Sequence, residues 1–416
     1  MGLDLKRPRR RTLLIIAVIG AVLLAAGVGV AVVAAAGGNG SSAETGIDTS
    51  FTEPTSFSSL DEVYAKEPFS CGATDAKCIE KYMIKVTDDY GPHASLGILD
   101  RLERSHQVDL SVNDHQMAHV VGRDTAKDYG SNFKAFDLCP TIFNYGCSHG
   151  FFEYVLARTP NARQAATTIC ESLNPQTNLL IAGFTCYHGV GHGIMMAQGY
   201  DIYKSLKECN TMPQAKDQDG CWQGVFMENV NAGMQKRALP GYFKKSDPLS
   251  PCDKVANKYK HECYINLAGW LMVVSKDDIG KGARYCSKAK PAKYKSSCWQ
   301  SIGLMVTNPV WQGPLAPDLA GKSQAKIAAS LCQRFPAAGR KDCIVAAVDN
   351  LANFDVLNVT REHAFCRELP EKLQNDCYSR IGLDIGVRTK DQAQIQKSCG
   401  ALGDKAKYCL QAAAEA

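Results

Sequence analysis

Three patterns of hydrophobic and polar positions follow one another along the chain. From Thr12 to Ala36 there is no charged residue, and the run LLIIAVIGAVLLAAGVGVAVVAAA is almost wholly aliphatic. It matches the roughly 20 residues that a bilayer-spanning helix needs. Residues 37–60, GGNGSSAETGIDTSFTEPTSFSSL, turn to Gly, Ser and Thr with few aliphatic side chains. Such a stretch buries too little to order itself and reads as a flexible linker. Beyond it, apolar positions recur at helical spacing, as in WQSIGLMV from Trp299 and YSRIGLDIG from Tyr378. A second amphipathic stretch accompanies each, such as KSQAKIAASLC or KDQAQIQKSC. The pattern predicts an all-α protein: a transmembrane helix over 12–36, a linker over 37–60, an N-terminal helical segment over 61–138, and helical hairpins over 139–409.

Cysteine spacing sharpens the last region. The eighteen cysteines are Cys71, Cys78, Cys139, Cys147, Cys170, Cys186, Cys209, Cys221, Cys252, Cys263, Cys286, Cys298, Cys332, Cys343, Cys366, Cys377, Cys399 and Cys409. Short gaps of 7–16 residues alternate with long gaps of 22–61. The second cysteine of each pair opens a related phrase: Cys147-Ser-His-Gly, Cys186-Tyr-His-Gly, Cys221-Trp-Gln-Gly, Cys298-Trp-Gln-Ser, Cys377-Tyr-Ser-Arg. A recurring unit of this length is the mark of a helical-hairpin array. We expect helix A of each hairpin to begin at the second cysteine and helix B to end at the next first cysteine. Sequential disulfides then tie the two across the short gap. Evenly paired cysteines without C-x2-C spacing point to an oxidising compartment rather than to zinc fingers.

Charge agrees with that compartment. Net charge is +5, and Lys6, Arg7, Arg9, Arg10 and Arg11 against Asp4 carry +4 of it within residues 1–11. The basic tail before the apolar run places the N-terminus in the cytoplasm and the rest of the chain outside. A signal cleaved near Ala34-Ala35-Ala36, giving a secreted protein, is the alternative. The remainder, at +1, carries no basic stripe for nucleic acid. No G-x-S-x-G, Walker loop, dinucleotide fingerprint or H-E-x-x-H occurs, so serine hydrolase, nucleotide-enzyme and standard metalloprotease chemistry find no support.

Gly146-Cys147, Gly220-Cys221, Cys298-Trp-Gln-Ser-Ile-Gly303 and Cys377-Tyr-Ser-Arg-Ile-Gly382 resemble the cysteine-bridged, Sel1-like (TPR-related) helical repeats of secreted bacterial proteins. The resemblance covers roughly 139–409 and implies a helical scaffold, often a binding one; it supplies no active-site residues. Cys186-Tyr-His-Gly-Val-Gly-His192 is similar to the C-H-G-x-x-G phrase of lanthionine-cyclase α/α toroids, whose zinc is held by cysteines and a histidine. The spacing is shifted by one and no residue role carries over; it implies only that hairpins can close into a ring. Open solenoid and toroid both remain.

Histidines supply the candidate chemistry. Five of nine lie close together in sequence: His115, His119, His149, His188 and His192. His115 and His119 stand at i and i+4, on one helix face. His149 and His188 each follow a second cysteine by two residues, and Glu153 and His192 follow four later. Stacked hairpins would bring these pairs to one groove. The next hairpin offers Gln223, Met227 and Glu228, after which the pattern lapses to Ile265, Gln300, Val345 and Ser379. Imidazoles with one or two carboxylates make a ligand set for zinc, copper or iron. The reading is a membrane-anchored extracytoplasmic metalloprotein with ligands His115, His119, His149, Glu153, His188, His192 and additionally Glu228. If it is an enzyme, the metal would activate water or dioxygen, with Glu153 or Glu228 as ligand or general base. The competing reading is a cell-surface repeat scaffold that binds a protein, peptide or glycan, its histidines forming a polar network. Arg123 and Asp124 are candidates to support the ligands from behind, and Met117, Met195, Met196, Met212, Met227 and Met234 are either copper-seeking thioethers or core filler. The sequence names no substrate or macromolecular partner.

Overall fold

A computed structural model describes residues 50–108, 114–140, 142–143, 145–159, 161–172, 179–234, 242–352 and 356–416. The apolar run 12–36 lies outside them. Among the described residues no helix is long and apolar enough to cross a membrane. They are helical throughout, with one isolated β-bridge, Lys244 to Asp247. The described residues divide into two compact units, one within 50–278 and 288–298, the other within 279–287 and 299–416.

The first unit holds α1 (Leu60–Lys66), α2 (Ala76–Arg104), α3 (Asp114–Asp128), α4 (Phe133–Asp137), α5 (Gly146–Leu156), α6 (Ala162–Cys170), α7 (Leu179–Ala197), α8 (Ile202–Cys209), α9 (Ala215–Met234), α10 (Lys260–Ile265) and α11 (Ala268–Ser275). Helices α3, α5, α7 and α9 pack side by side as an inner row, while α4, α6 and α8 form an outer row against one another. Helices α1 and α2 lead into the inner row through an apolar core of Val63, Ile79, Met83, Leu96, Leu99, Met117 and Val121. The helix bearing His115 and His119 thus belongs to the same row as the helices that follow second cysteines.

The outer helices start and stop as the sequence requires. Asn132, Asn161 and Asp201 cap α4, α6 and α8 with side-chain oxygens that accept from backbone N–H groups of the first turn. Helices α6 and α8 end at Cys170 and Cys209. The bridges then run in sequence: 71–78, 139–147, 170–186, 209–221, 252–263, 332–343, 366–377 and 399–409, with Cα separations of 5.4–5.8 Å. Cys286 and Cys298 are also disulfide-bonded. Each short loop closed in this way contributes about 2–3 kcal/mol by restricting the unfolded chain.

Three expectations need correction. The second cysteine does not open the inner helix in general: α7 and α9 begin well before Cys186 and Cys221, so these bridges join the flank of an inner helix to the end of an outer one. Cys252 does not end a helix but lies in turns. Pro248 and Pro251 lack the N–H donors that a helix there would need. The linker gives way to packed chain before residue 60. Thr52 N–H donates to the Tyr129 carbonyl at 3.3 Å, and Phe57 packs on the apolar core, because this end of the segment brings Phe51, Pro54 and Phe57.

The second unit contains α12 (Ile279–Cys286), α13 (Lys295–Gly303, from Trp299 onward), α14 (Pro309–Leu315), α15 (Gln324–Gln333), α16 (Arg340–Ala352), α17 (Thr360–Arg367), α18 (Glu371–Arg388), α19 (Gln392–Gly400) and α20 (Ala406–Glu415). It repeats the plan: α16, α18 and α20 pack in a row, and α15 packs on α17.

Candidate metal centre

The inner row of the first unit is lined by a buried polar stripe. His115 and His119 project from α3, His149 and Glu153 from α5, His188 and His192 from α7, Gln223 and Glu228 from α9, and all eight are at most 5% exposed. Close helix approach makes this possible. A side chain at Gly150 would strike the His119 carbonyl, and one at Gly224 would strike that of His188. Glycine removes the obstacle, so α5 lies directly on α3 and α9 on α7.

Four of the five imidazoles are held by oxygen at Nδ1. His119 Nδ1 lies 2.7 Å from Glu153 Oε1, and His192 Nδ1 lies 3.2 Å from Glu228 Oε2. His188 Nδ1 lies 2.9 Å from Gln223 Oε1, whose amide nitrogen in turn donates to Glu262 Oε2 at 3.3 Å. His115 Nδ1 lies 2.8 Å from the Phe143 carbonyl. Phe143 and Tyr145 adopt positive φ (54° and 61°), a conformation that non-glycine residues seldom take. Carbonyl and carboxylate oxygens can only accept, so these Nδ1 atoms carry the ring protons and donate. The lone pairs are left on Nε2.

Those lone pairs point at one another. His115 Nε2 is 3.0 Å from His119 Nε2, and His188 Nε2 is 3.2 Å from His192 Nε2. Two unprotonated nitrogens at this separation repel unless a cation lies between them. Ligands on a tetrahedral ion with 2.0–2.1 Å bonds stand about 3.3 Å apart, close to both separations.

His149 occupies the centre. Its ring stacks on His192 with centroids 4.8 Å apart and planes at 13°, and lies 4.9–5.3 Å from His188, His119 and His115. Its Nδ1 is buried without a partner. Ligand atoms of His115, His119 and His149 lie within 4.8 Å of one another, as do those of His149, His188 and His192. Glu153, His192 and Glu228 form a third such group.

Burial favours the neutral form of His115, His149, His188 and His192, and the surroundings of Glu153 favour its charged form. Burial holds His115, His149 and His188 well below the ordinary imidazole range, reinforced by the neighbouring rings. Burial and His119 lower His192 to about 3. Burial opposes ionisation of Glu153, but His119 and Arg123 outweigh it and hold the carboxyl well below its usual range. Arg123 Nη1 contacts Glu153 Oε2 at 2.5 Å. Neutral imidazole is the form that binds metal.

The structure therefore brings together all six residues expected from the repeat register, and Glu228 with them. Arg123 supports the cluster from behind Glu153. Asp124 does not: it groups with Asp88 and Asp128, where Lys127 reaches Asp128 at 2.8 Å. Met117 packs in the apolar core of α1–α3. Sequence reasoning missed the Phe143 carbonyl and Glu262. A backbone acceptor leaves no residue-type signal, and Glu262 precedes its cysteine by one and so falls outside the repeated register. No family, curated protein or solved structure matches this chain.

Proposed function

We propose that the chain is a membrane-anchored, extracytoplasmic helical-repeat protein that binds transition metal in the histidine stripe of its inner row. The carrying observation is the pair of Nε2–Nε2 approaches, 3.0 and 3.2 Å, with the Nδ1 protons committed to oxygen. A proton shared between two rings would also relieve the repulsion. The third nitrogen beside each pair, from His149, favours a metal, because a proton bridges two acceptors and an ion gathers three or more. Imidazole ligands supported by carboxylates suit zinc, copper or iron. Burial of every ligand side chain favours a structural role, electron transfer or reaction with a small diffusible molecule over hydrolysis of a polymer. The disulfides suit an oxidising compartment. The apolar run 12–36, preceded by basic residues, supplies the anchor and the orientation.

Elemental analysis of the untagged full chain, purified in detergent, tests this reading. At least one zinc, copper or iron per chain is expected, lost in a His115→Ala/His188→Ala variant. Protein that neither carries nor takes up metal, and whose histidine variants keep wild-type stability, would instead be a repeat scaffold with a polar interior. A reporter fused to the C-terminus checks the topology; activity only in the cytoplasm would overturn it.

A further inference from the structure

The five histidines do not surround one point. They fall into two groups, His115/His119/His149 and His149/His188/His192, each compact and sharing a single member. The two groups are near copies. In each, two imidazoles one helical turn apart turn their Nε2 atoms together, and the second ring rests by Nδ1 on a glutamate of the next inner helix, Glu153 or Glu228. His149 differs from the other four. They are committed at Nδ1 to an oxygen and have one nitrogen to offer. No oxygen among the described residues anchors His149, and its Nδ1 is buried without a partner.

From this asymmetry we infer that the stripe is a binuclear centre, in which the imidazole of His149 bridges two metal ions through its two ring nitrogens. His115 and His119 complete one ion's protein ligands, and His188 and His192 complete the other's. The inference rests on the metal-binding reading above. Each ion then has three nitrogen ligands, and a position remains for water or a small molecule. Bridging requires that His149 give up its one ring proton, which leaves to solvent as the second ion binds. The other four rings keep their Nδ1 protons on their oxygen partners. The width of an imidazole plus two metal–nitrogen bonds sets the ions about 6 Å apart. A bridging imidazolate couples two paramagnetic ions electronically, and two separately ligated ions at that distance would couple far more weakly.

The test uses copper(II) alone as probe. The full chain in detergent is stripped with chelator and titrated with copper(II). Bound ions are counted by mass spectrometry and unpaired spins by electron paramagnetic resonance at low temperature. Two coppers per chain are expected, with a spin signal several-fold below two spins. In His149→Gln, whose metal-free melting temperature is checked against wild type, each bound copper should show its full spin. The wild-type count decides the question even where the variant fails to fold. One copper per chain, or two with undiminished signal, overturns the bridge while leaving the metal-binding reading in place. No bound copper overturns both.

Discussion

Gly150 of α5 lies so close to the carbonyl oxygen of His119 on α3 that a β-carbon would overlap it. The contact fixes the spacing of the two helices, and with it the reach from His119 Nδ1 to Glu153. Gly122 makes the reciprocal approach, to the Cys147 carbonyl. Gly150→Ala should force the helices apart and cost at least about 1–3 kcal/mol, the usual range for an overpacked interior. Loss of bound metal should exceed what the lower stability explains. Chemical denaturation and metal content, measured on the same sample, check this. An unchanged midpoint would show that the helices can separate freely.

Glu153 touches the proposed site only through others. It accepts from His119 Nδ1 and pairs with Arg123. Glu153→Gln keeps an oxygen for His119 but removes the negative charge behind the ring. Metal affinity should fall about 10–100-fold, as replacement of such supporting groups typically causes. Competition against a chromophoric chelator reads this directly. Wild-type affinity in the variant would mean that His119 is not a ligand.

The site was legible in the sequence where its signal was local. A cysteine fixes the register, and counting two and six residues from Cys147 and Cys186 finds His149, Glu153, His188 and His192 because helical geometry carries that count onto one face. Partner choice was less legible. His192 meets Glu228, not Met227, because the acceptor stands one residue past the expected register. The Phe143 carbonyl depends on a left-handed backbone at a residue whose type does not call for one. The helical class and the order of disulfides were plain from periodicity. The early starts of α7 and α9 were not, because the repeated cysteine phrase marks the register of a helix and not its first residue.

Glu103 gives a pH dependence separate from the histidines. Burial, then Asp114 and Asp100, raises its carboxyl to about 8, and its Oε1 has no hydrogen-bond partner. A folded-state value above the unfolded one means that the folded chain holds more protons between roughly pH 4.5 and 8. Stability from this group is therefore full below that window and falls as pH rises through it. Glu103→Gln should flatten the slope and stabilise the chain at pH 8 and above. Solvent screening at this half-buried position limits the gain to on the order of 1 kcal/mol. Melting curves of both proteins from pH 5 to 9 test it; parallel profiles would show that Glu103 ionises normally.

The second unit fills the same register with a different polar solution. Asp349 stands six residues after Cys343, as Glu153 does after Cys147, and Asp384 stands seven after Cys377, as Glu228 does after Cys221. Arg380 joins them, with Nε 2.5 Å from Asp349 and Nη2 2.9 Å from Asp384, all three nearly buried. Burial and the neighbouring Asp384 push Asp349 well above the usual carboxyl range, and Arg380 opposes that shift without overcoming it. Arg380→Met leaves two buried carboxyl groups without their hydrogen-bond donor, and a buried polar group left unsatisfied typically costs about 1–3 kcal/mol. The triple change Arg380→Met, Asp349→Leu, Asp384→Leu removes the charges together and should recover most of that loss, since apolar replacements of a buried ionic group are often neutral or stabilising. Metal content should stay at the wild-type level in every variant that folds, because none of the three belongs to the histidine stripe. Denaturant titrations of the single and triple variants decide between this account and its opposite. If Arg380→Met alone leaves the midpoint unchanged, the arginine does not hold the row together.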